Sequence, residues 1–245
     1  MLCFLGIYVV GFSQIKANEK LIYAASYNMS GLMTQLAQVS MHTEMVNTSK
    51  KTYLHLSWEA ETVSKWDRFF KIRDMYETYV NPSTLRPSLY KRSIYEGGYS
   101  KTEKYFFSTD GRNVNSTTTK KNGTEIKKTI NIGSSTQDII SIIYKLRTVD
   151  FSKFRVGQII SYTIVFDEKE YPVFVKYMGM ETVSAGNLGR KECYKLAISS
   201  RTDKLKGVDK NLIWLTADSK KIPALIRFSI PVGTGQLSLA TASGI

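Results

Sequence analysis

The chain has 245 residues, with 34 Lys and Arg against 21 Asp and Glu, and a formal net charge of +13. This length suits one large domain or two small ones, and β proteins of this size are often a single domain. In a cytosolic protein the charge would favour nucleic-acid binding, but the sequence has no helix-turn-helix, zinc-finger or RNA-binding signature. Nucleic acid is therefore not an expected partner.

The N-terminal segment predicts export. Residues 1–13 (MLCFLGIYVVGFS) carry no charge and have an apolar core, with Gly11 and Ser13 placed as the small residues of a cleavage site. The pattern is typical of a secretory signal peptide, and Gln14 is the expected start of the mature chain. No Lys or Arg precedes the apolar stretch, which leaves an upstream start codon or an apolar N-terminal strand as alternatives. The stretch is shorter than the roughly 20 residues that span a bilayer, so no transmembrane segment is expected after cleavage. The expected location is the periplasm or the cell envelope.

Cleavage would leave one cysteine, Cys193, and so no intramolecular disulfide. Cys193 lies between Lys191 and Lys195 on one strand face, where the two cations would lower the thiol pKa. No histidine partner accompanies it, and a nucleophilic role is not expected.

Strands and tight turns dominate the rest of the chain. Alternating apolar residues mark early strands at LIYAASYNMSG, TQLAQVSMHTEMV and KTYLHLSWEAET, and late strands at IISYTIVF, YPVFVKYMGMETV, RKECYKLAISSR, NLIWLTAD and KIPALIRFSI. Asp110-Gly111 and Asn122-Gly123 are dipeptides of two-residue hairpins. Some strands are partly apolar on both faces, which favours a curled sheet or a helix-covered sheet. We expect a mainly β fold, an antiparallel meander curled into an open or pseudo β-barrel, in a single domain over residues 14–245.

Two helical segments are expected beside the sheet. The segment SSTQDIISIIYKLRTVDF predicts one long helix, with Ser135 or Thr136 as N-cap and an apolar face made of Ile139, Ile142, Ile143 and Leu146. A short helical turn is expected from Val63 to Phe69, where aromatic residues recur at helical spacing.

The order of several motifs resembles the family of domain of unknown function 3108 (DUF3108), which occurs in exported Gram-negative proteins. The motifs of the first half are Arg73-Asp74 opening a strand, Pro82 and Pro87 around Leu85, and Arg92 followed by Glu96-Gly97-Gly98. Those of the last segment are Trp214, Asp218, Pro223 and Gly233. The resemblance covers Leu21 to Leu239 and implies a YmcC-like open or pseudo barrel, similar to the half-barrels of periplasmic lipoprotein carriers. It implies no activity, because the family has none assigned and a fold alone does not supply one.

A run of charged residues is the strongest candidate for a polar site. Its carboxylates are Asp67, Asp74, Glu77, Glu96 and Glu103, and its cations are Arg68, Arg73, Arg86 and Arg92. A glycosidase needs two carboxylates about 5–10 Å apart across a cleft, which makes a carbohydrate-active hydrolase the alternative function. The even mix of arginine and acid favours a structural salt-bridge network instead. The candidate ligand contacts are Asp67, Arg73, Asp74, Arg92, Glu96 and Trp214, although a core position is favoured for Trp214.

Other catalytic and metal-binding patterns are missing from the sequence. His42 and His55 have no zinc-ligand spacing around them, and exposure to solvent is the favoured interpretation of both. No Gly-x-Ser-x-Gly, phosphate loop or dinucleotide fingerprint is present. We therefore predict no catalytic residue, no metal and no cofactor.

The hairpin from Asn115 to Lys128 is rich in cations. A solvated edge hairpin whose lysines prevent edge-to-edge aggregation is the favoured interpretation. The alternative is a finger that contacts anionic polysaccharide or lipid through Lys120, Lys121, Lys127 and Lys128. Together these features favour a non-enzymatic envelope protein that binds a lipid, lipopeptide, polysaccharide or partner protein in a groove of the curled sheet.

Overall fold

The computed structural model describes residues 15–29, 31–200, 211–230 and 233–245, so the expected signal peptide and Gln14 lie outside the described residues. The described strands are β1 (Lys20–Met29), β2 (Leu32–Asn47), β3 (Thr52–Thr62), β4 (Arg73–Val80), β5 (Pro87–Glu96), β6 (Tyr99–Phe107), β7 (Asn113–Lys120), β8 (Glu125–Asn131), β9 (Ile159–Phe166), β10 (Lys169–Ser184), β11 (Arg190–Ser200), β12 (Asn211–Thr216), β13 (Pro223–Ile230) and β14 (Gly233–Ser243). One α-helix, α1 (Ser141–Leu146), and two 3₁₀ turns, Phe151–Lys153 and Gly186–Leu188, complete the described elements.

All fourteen described strands form one antiparallel sheet. Consecutive strands pair with each other except β8 and β9, and β1 also pairs with β14, so the order is β8-β7-β6-β5-β4-β3-β2-β1-β14-β13-β12-β11-β10-β9. β8 and β9 are the edges, and no ladder joins them within the described ranges. The predicted antiparallel meander is therefore confirmed, and it is not closed into a barrel.

Contacts between distant strands require the sheet to curl. In β5, Arg92 Nη2 lies 2.5 Å from Oδ1 of Asp167, in the β9–β10 turn. In β6, the Tyr105 hydroxyl accepts a hydrogen bond of 2.9 Å from the backbone N–H of Glu168 in the same turn. Since β5 and β6 lie near one end of the strand order and β9 and β10 at the other, only a curled sheet brings these groups together.

The curled sheet has two distinct ends, because antiparallel connections alternate between them. The β1–β2, β3–β4, β5–β6, β7–β8 and β9–β10 connections share one end, which we call the rim. The opposite end carries the first and last described residues, with Lys16 Nζ 3.2 Å from the carbonyl of Ile245. It is covered by α1, since Lys145 Nζ donates to the Thr84 carbonyl in the β4–β5 turn at 3.1 Å.

The prediction of one long helix is wrong, because α1 has only six residues. The backbone of Gln137 pairs instead with β9, through hydrogen bonds of 2.9 Å to Thr163 and from Val165. This extended pairing excludes Ser135 and Thr136 as N-caps. The carboxylate of Asp138 performs that role, accepting the backbone N–H groups of Ile140 and Ser141 at 2.8 Å.

The expected turn between Val63 and Phe69 is present as hydrogen-bonded turns. The N–H of Trp66 donates to the Val63 carbonyl at 2.8 Å, and the N–H of Phe70 donates to the Trp66 carbonyl at 3.0 Å. The second bond has the i to i−4 spacing of an α-helical turn.

Buried side chains fill the space around α1 and between the strands. Ile140 and Tyr144 pack in a cluster with residues of β3 to β6, whereas Ile142 and Leu146 pack in another with residues of β9 to β12. Trp214 lies in a third cluster and is only 1% exposed, beneath the side chains of Lys195 and Arg227. These contacts agree with the core position favoured for Trp214 and leave it inaccessible to a ligand.

Cys193 is also part of this third cluster and is fully buried. Burial raises the pKa of its thiol to about 11, so the expectation that Lys191 and Lys195 lower this pKa is wrong. The cations do not determine the pKa because the thiol is withdrawn from solvent, which disfavours the thiolate.

Candidate functional site

Strand alternation distributes the predicted charged cluster over both faces of the sheet, and its members form four groups. Neighbouring residues of a strand point to opposite faces of the sheet, so Arg73 and Asp74 in β4 cannot serve one site. Asp67 binds Arg73, with Oδ2 and Nη2 2.5 Å apart, and also accepts the hydroxyl of Thr62. The hydrogen bond from Arg73 lowers the pKa of Asp67 below its usual range. This first group holds the β3–β4 loop in place, since the Thr62 hydroxyl also accepts the N–H of Ile72 at 3.1 Å.

The second group surrounds His55 on the outer face of β2, β3 and β4. Its Nδ1 lies 2.8 Å from Glu44 Oε1 and its Nε2 lies 3.0 Å from Glu77 Oε1. The imidazole also stacks on the ring of Tyr79, with centroids 4.4 Å apart. The prediction of solvent exposure is therefore wrong for His55, whose side chain is 12% exposed. His42 and His55 line one shallow cavity of about 530 Å³, but no group of three His, Cys, Asp or Glu in the described ranges is arranged to hold a metal ion.

The third group is a carboxyl pair, Asp74 and Glu96. Asp74 is 7% exposed, and its Oδ1 accepts the backbone N–H of Tyr95 at 3.0 Å. Burial raises the pKa of Asp74 to about 6, the bond from Tyr95 opposes this rise, and the neighbouring Glu96 carboxyl adds to it. The Glu96 carboxyl lies close enough to that of Asp74 to disfavour its ionisation.

Asp74→Asn should raise the free energy of unfolding by about 1–3 kcal/mol at pH 7.5 and change it little at pH 4. The pKa of Asp74 in the folded chain lies above its ordinary value, so the aspartate destabilises the fold as pH rises through about 6. Asparagine stays neutral and can still accept the N–H of Tyr95. Urea unfolding at a series of pH values measures the effect.

The matched control is Asp67→Asn, because the pKa of Asp67 is lowered in the folded chain. That variant should lose stability at pH 7.5, which is the opposite direction. Equal pH dependence in the parent and in Asp74→Asn would contradict the raised pKa of Asp74.

The fourth group joins the two edge regions of the sheet, and we call Arg92, Lys101, Glu103, Asp167 and Glu168 the closure network. Arg92 pairs with both Glu103 and Asp167, and Lys101 Nζ lies 2.5 Å from Glu103 Oε1. Arg92 and Glu103 are only 4% and 1% exposed. On the same turn, Glu168 pairs with Lys128 in β8 and accepts the hydroxyl of Thr118 at 2.8 Å. Side chains thus connect the two parts of the sheet that no backbone ladder joins.

The β9–β10 turn presents its acids through an unusual backbone. Asp167 and Glu168 have φ values of 45° and 60°, so both central residues of the two-residue turn are left-handed, as in a type I′ turn. Asn and Gly are the usual residues there. Two acids in a two-residue hairpin turn are the sequence signal that could have identified this site. In the structure these acids are the partners of Arg92 and Lys128.

A cavity of about 480 Å³ opens beside this turn, and we call it the rim cavity. Its lining includes Tyr99, Lys101, Lys120, Lys121, Asp167 and Glu168. Of the four lysines named as candidate anion contacts, Lys120 and Lys121 lie here. Lys128 is paired with Glu168, and Lys127 lies 3.9 Å from Glu125 on the exposed edge strand. The candidate ligand contacts do not share one cavity either. The rim cavity is not lined by Asp67, Arg73, Asp74, Glu96 or Trp214, and Arg92 is buried beneath it.

In the described part of the chain, no helix is both long and apolar enough to cross a membrane.

Comparison with known proteins identifies the family of the chain. One solved structure that it resembles is the crystal structure of a β-barrel-like protein of domain of unknown function DUF1849 from Brucella abortus, with a TM-score of 0.57 and 9% identity over 93% of this chain and 98% of that one. This identity shows the fold alone, and no curated protein matches the chain. The model of the DUF3108 family, described as a protein of unknown function, matches residues 23–240, so the chain belongs to the DUF3108 family.

Proposed function

We propose that the protein is an exported, non-enzymatic protein of the cell envelope that binds an anionic envelope polysaccharide at the rim cavity. The observation that carries this proposal is the convergence of Lys101, Lys120 and Lys121 on one cavity of about 480 Å³. This volume lies in the range of small-molecule sites and suits one or two charged sugar units. Tyr99 adds an exposed aromatic ring to the lining, which offers an apolar surface to a sugar ring.

The charges of two of these lysines are available to a ligand. Lys120 and Lys121 are exposed, and neither forms an ion pair with a carboxylate of the described residues. Lys121 Nζ donates to the carbonyl of Gly98 at 2.6 Å, which holds it at the cavity. Lys101 differs, because Glu103 and Asp167 already balance its charge. We therefore assign the ligand's anionic group to Lys120 and Lys121.

The export part of the proposal rests on the uncharged apolar sequence of residues 1–13. The site lies at the rim because α1, the core clusters and the closure network occupy the interior of the curled sheet. A ligand in an interior groove, whether lipid, lipopeptide or protein, would have to displace these packed side chains.

The carboxylates of the charged cluster are already bonded to other groups of the chain, which favours a binding function over hydrolysis. A hydrolase of the glycosidase type needs two carboxylates facing each other across a cleft. Here Asp67 is held by Arg73, and Glu103 by Arg92 and Lys101. Asp74 accepts the backbone N–H of Tyr95, and Glu77 contacts His55. Each carboxylate has a structural partner that explains its position.

The test is retention of a paired lysine variant on a heparin column. Lys120→Gln/Lys121→Gln should bind about three- to tenfold more weakly than the parent, because each exposed charge contact contributes up to about 1 kcal/mol. Binding should weaken steeply with salt, since screening limits exposed charges to about 8 Å at physiological ionic strength. Folding stability should stay within about 0.5 kcal/mol of the parent.

The matched control is Lys50→Gln/Lys51→Gln, which removes two exposed adjacent lysines from the β2–β3 turn at the opposite end of the sheet. This control should elute close to the parent. Equal shifts for the two variants would mean that general charge, and not the rim cavity, determines retention.

A further inference from the structure

We propose that the rim docks onto the surface of an anionic lipid bilayer through exposed apolar side chains, which we call the apolar rim. Its members are Leu32, Met33, Phe69, Phe70 and Tyr99. Phe69 and Leu32 are 79% and 74% exposed, and the others are about half exposed, at 45–56%. Large exposed apolar groups that cluster on one surface mark an interaction site.

The chain holds these side chains outward by specific contacts. The Trp66 indole N–H donates to the Gln35 carbonyl at 3.0 Å, which ties the β3–β4 loop to β2. The N–H of Gly97 donates to the Lys71 carbonyl at 2.9 Å, which ties the loop to the β5–β6 turn. The ring of Phe70 lies directly over Gly97, where a Cβ atom would clash with the ring. A loop anchored in this way presents Phe69 to solvent at a fixed position.

Cations surround the apolar rim. The β3–β4 loop carries Lys65, Arg68 and Lys71, all exposed, and the single acid among them, Asp67, is neutralised by Arg73. The β7–β8 turn adds Lys120 and Lys121, the latter in contact with Gly98 of the neighbouring turn. Basic residues near a membrane are attracted to anionic headgroups, and the attraction extends over about a Debye length.

The composition and the geometry favour a bilayer over a protein partner. Aromatic side chains interspersed with Lys and Arg are typical of segments that lie in the membrane interface. The cores of protein–protein interfaces are depleted of Lys. The apolar rim also lies on the tips of adjacent connections at one end of the sheet, so its side chains can enter a planar surface together. The proposal goes beyond the polysaccharide site, because Leu32, Phe69 and Phe70 do not line the rim cavity.

The test is co-sedimentation of the full chain with vesicles of phosphatidylglycerol and phosphatidylcholine, compared with vesicles of phosphatidylcholine alone. The parent should bind the anionic vesicles more strongly. Leu32→Ser/Phe69→Ser should reduce partitioning about tenfold, since it removes the two most exposed apolar groups of the rim. The matched control is Val156→Ser/Ile159→Ser, which replaces side chains that are 71% and 56% exposed near the start of β9, at the opposite end of the sheet. It should bind like the parent.

Fluorescence tests the proposal on the parent chain, so the result does not depend on whether a variant of the apolar rim folds. Trp66 lies beside Phe69, with ring centroids 6.0 Å apart, so brominated lipids should quench its emission in the bound parent. The variant Trp66→Phe should lose the quenched emission, since Trp214 lies in a core cluster and Trp58 packs against the core clusters. Absence of quenching would overturn the proposal.

Several other results would also overturn it. These are a parent that does not bind anionic vesicles, equal loss of binding in the two serine variants, and a parent dimer that Leu32→Ser/Phe69→Ser converts to a monomer. The last result would identify the apolar rim as a contact between two copies of the chain. Heparin retention separates this proposal from the polysaccharide site, because the apolar variant should keep parental retention whereas Lys120→Gln/Lys121→Gln should lose it.

Discussion

Replacing Arg147 with Met should lower the free energy of unfolding by about 3–5 kcal/mol, because it leaves the carboxylate of Glu19 buried and unpaired. The side chains of Arg147 and Glu19 are 2% and 3% exposed. Nη1 and Nη2 of Arg147 each lie 2.7 Å from an oxygen of Glu19, and its Nε donates to the Lys220 carbonyl at 3.1 Å. One guanidinium therefore ties together the end of α1, the start of β1 and the β12–β13 turn.

Urea unfolding at pH 7 measures this loss, and a double variant identifies its cause. Glu19→Met/Arg147→Met should recover most of the lost stability, because two apolar side chains of similar size no longer bury a charge. If the double variant were no more stable than Arg147→Met alone, the loss would come from packing and hydrogen bonding of the guanidinium, not from the stranded carboxylate.

The meander could be predicted from the sequence because its signals are local. Alternating apolar residues gave the strands, and pairing between consecutive strands needs only short turns. Asp110-Gly111 and Asn122-Gly123 do lie in hairpin turns, and Gly111 and Gly123 adopt left-handed φ values of 71° and 81°, which glycine adopts easily. The prediction of two-residue turns is wrong, because β6 ends at Phe107 and β7 begins at Asn113, whereas β7 ends at Lys120 and β8 begins at Glu125. Pairing of β1 with β14 has no such local signal, since it joins segments more than 200 residues apart, such as Lys20 and Ser243.

The helix was overpredicted for a reason that lies in tertiary contacts. The spacing of Ile139, Ile142 and Leu146 suits a helix, and Ile142 and Leu146 are indeed buried. Helical spacing cannot reveal that the edge of β9 takes the backbone hydrogen bonds of Gln137. Short helices depend on tertiary packing for most of their stability. The pairing of Gln137 with β9 therefore determines where α1 begins.

The site could be predicted only in part. The salt-bridge interpretation agrees with the pairs Asp67–Arg73 and Arg92–Glu103, which are close in sequence. The other partner of Arg92 is Asp167, 75 residues away, and only the curl of the sheet brings them together. Similarly, the lysines at the β7–β8 turn were visible in the sequence, whereas their cavity depends on the β9–β10 turn beside them.

Arg92→Met should lower the free energy of unfolding by about 2–4 kcal/mol, because it removes one of the two cations that Glu103 and Asp167 share. The loss should be smaller than for a fully stranded charge, since Lys101 Nζ still lies 2.5 Å from Glu103. Urea unfolding of the parent and of Arg92→Met at pH 7.5 measures this loss.

The same variant should loosen the connection between the two edges of the sheet. Hydrogen–deuterium exchange should become faster at the amide of Glu168, which donates to the Tyr105 hydroxyl, and at that of Gly133, which donates to Glu170. Arg73→Met is the matched control, because it breaks an arginine–aspartate pair that is partly exposed to solvent and lies outside the closure network. It should leave exchange at both amides unchanged. Parental exchange at both amides in Arg92→Met would mean that the edges are held together by packing around α1 and not by the closure network.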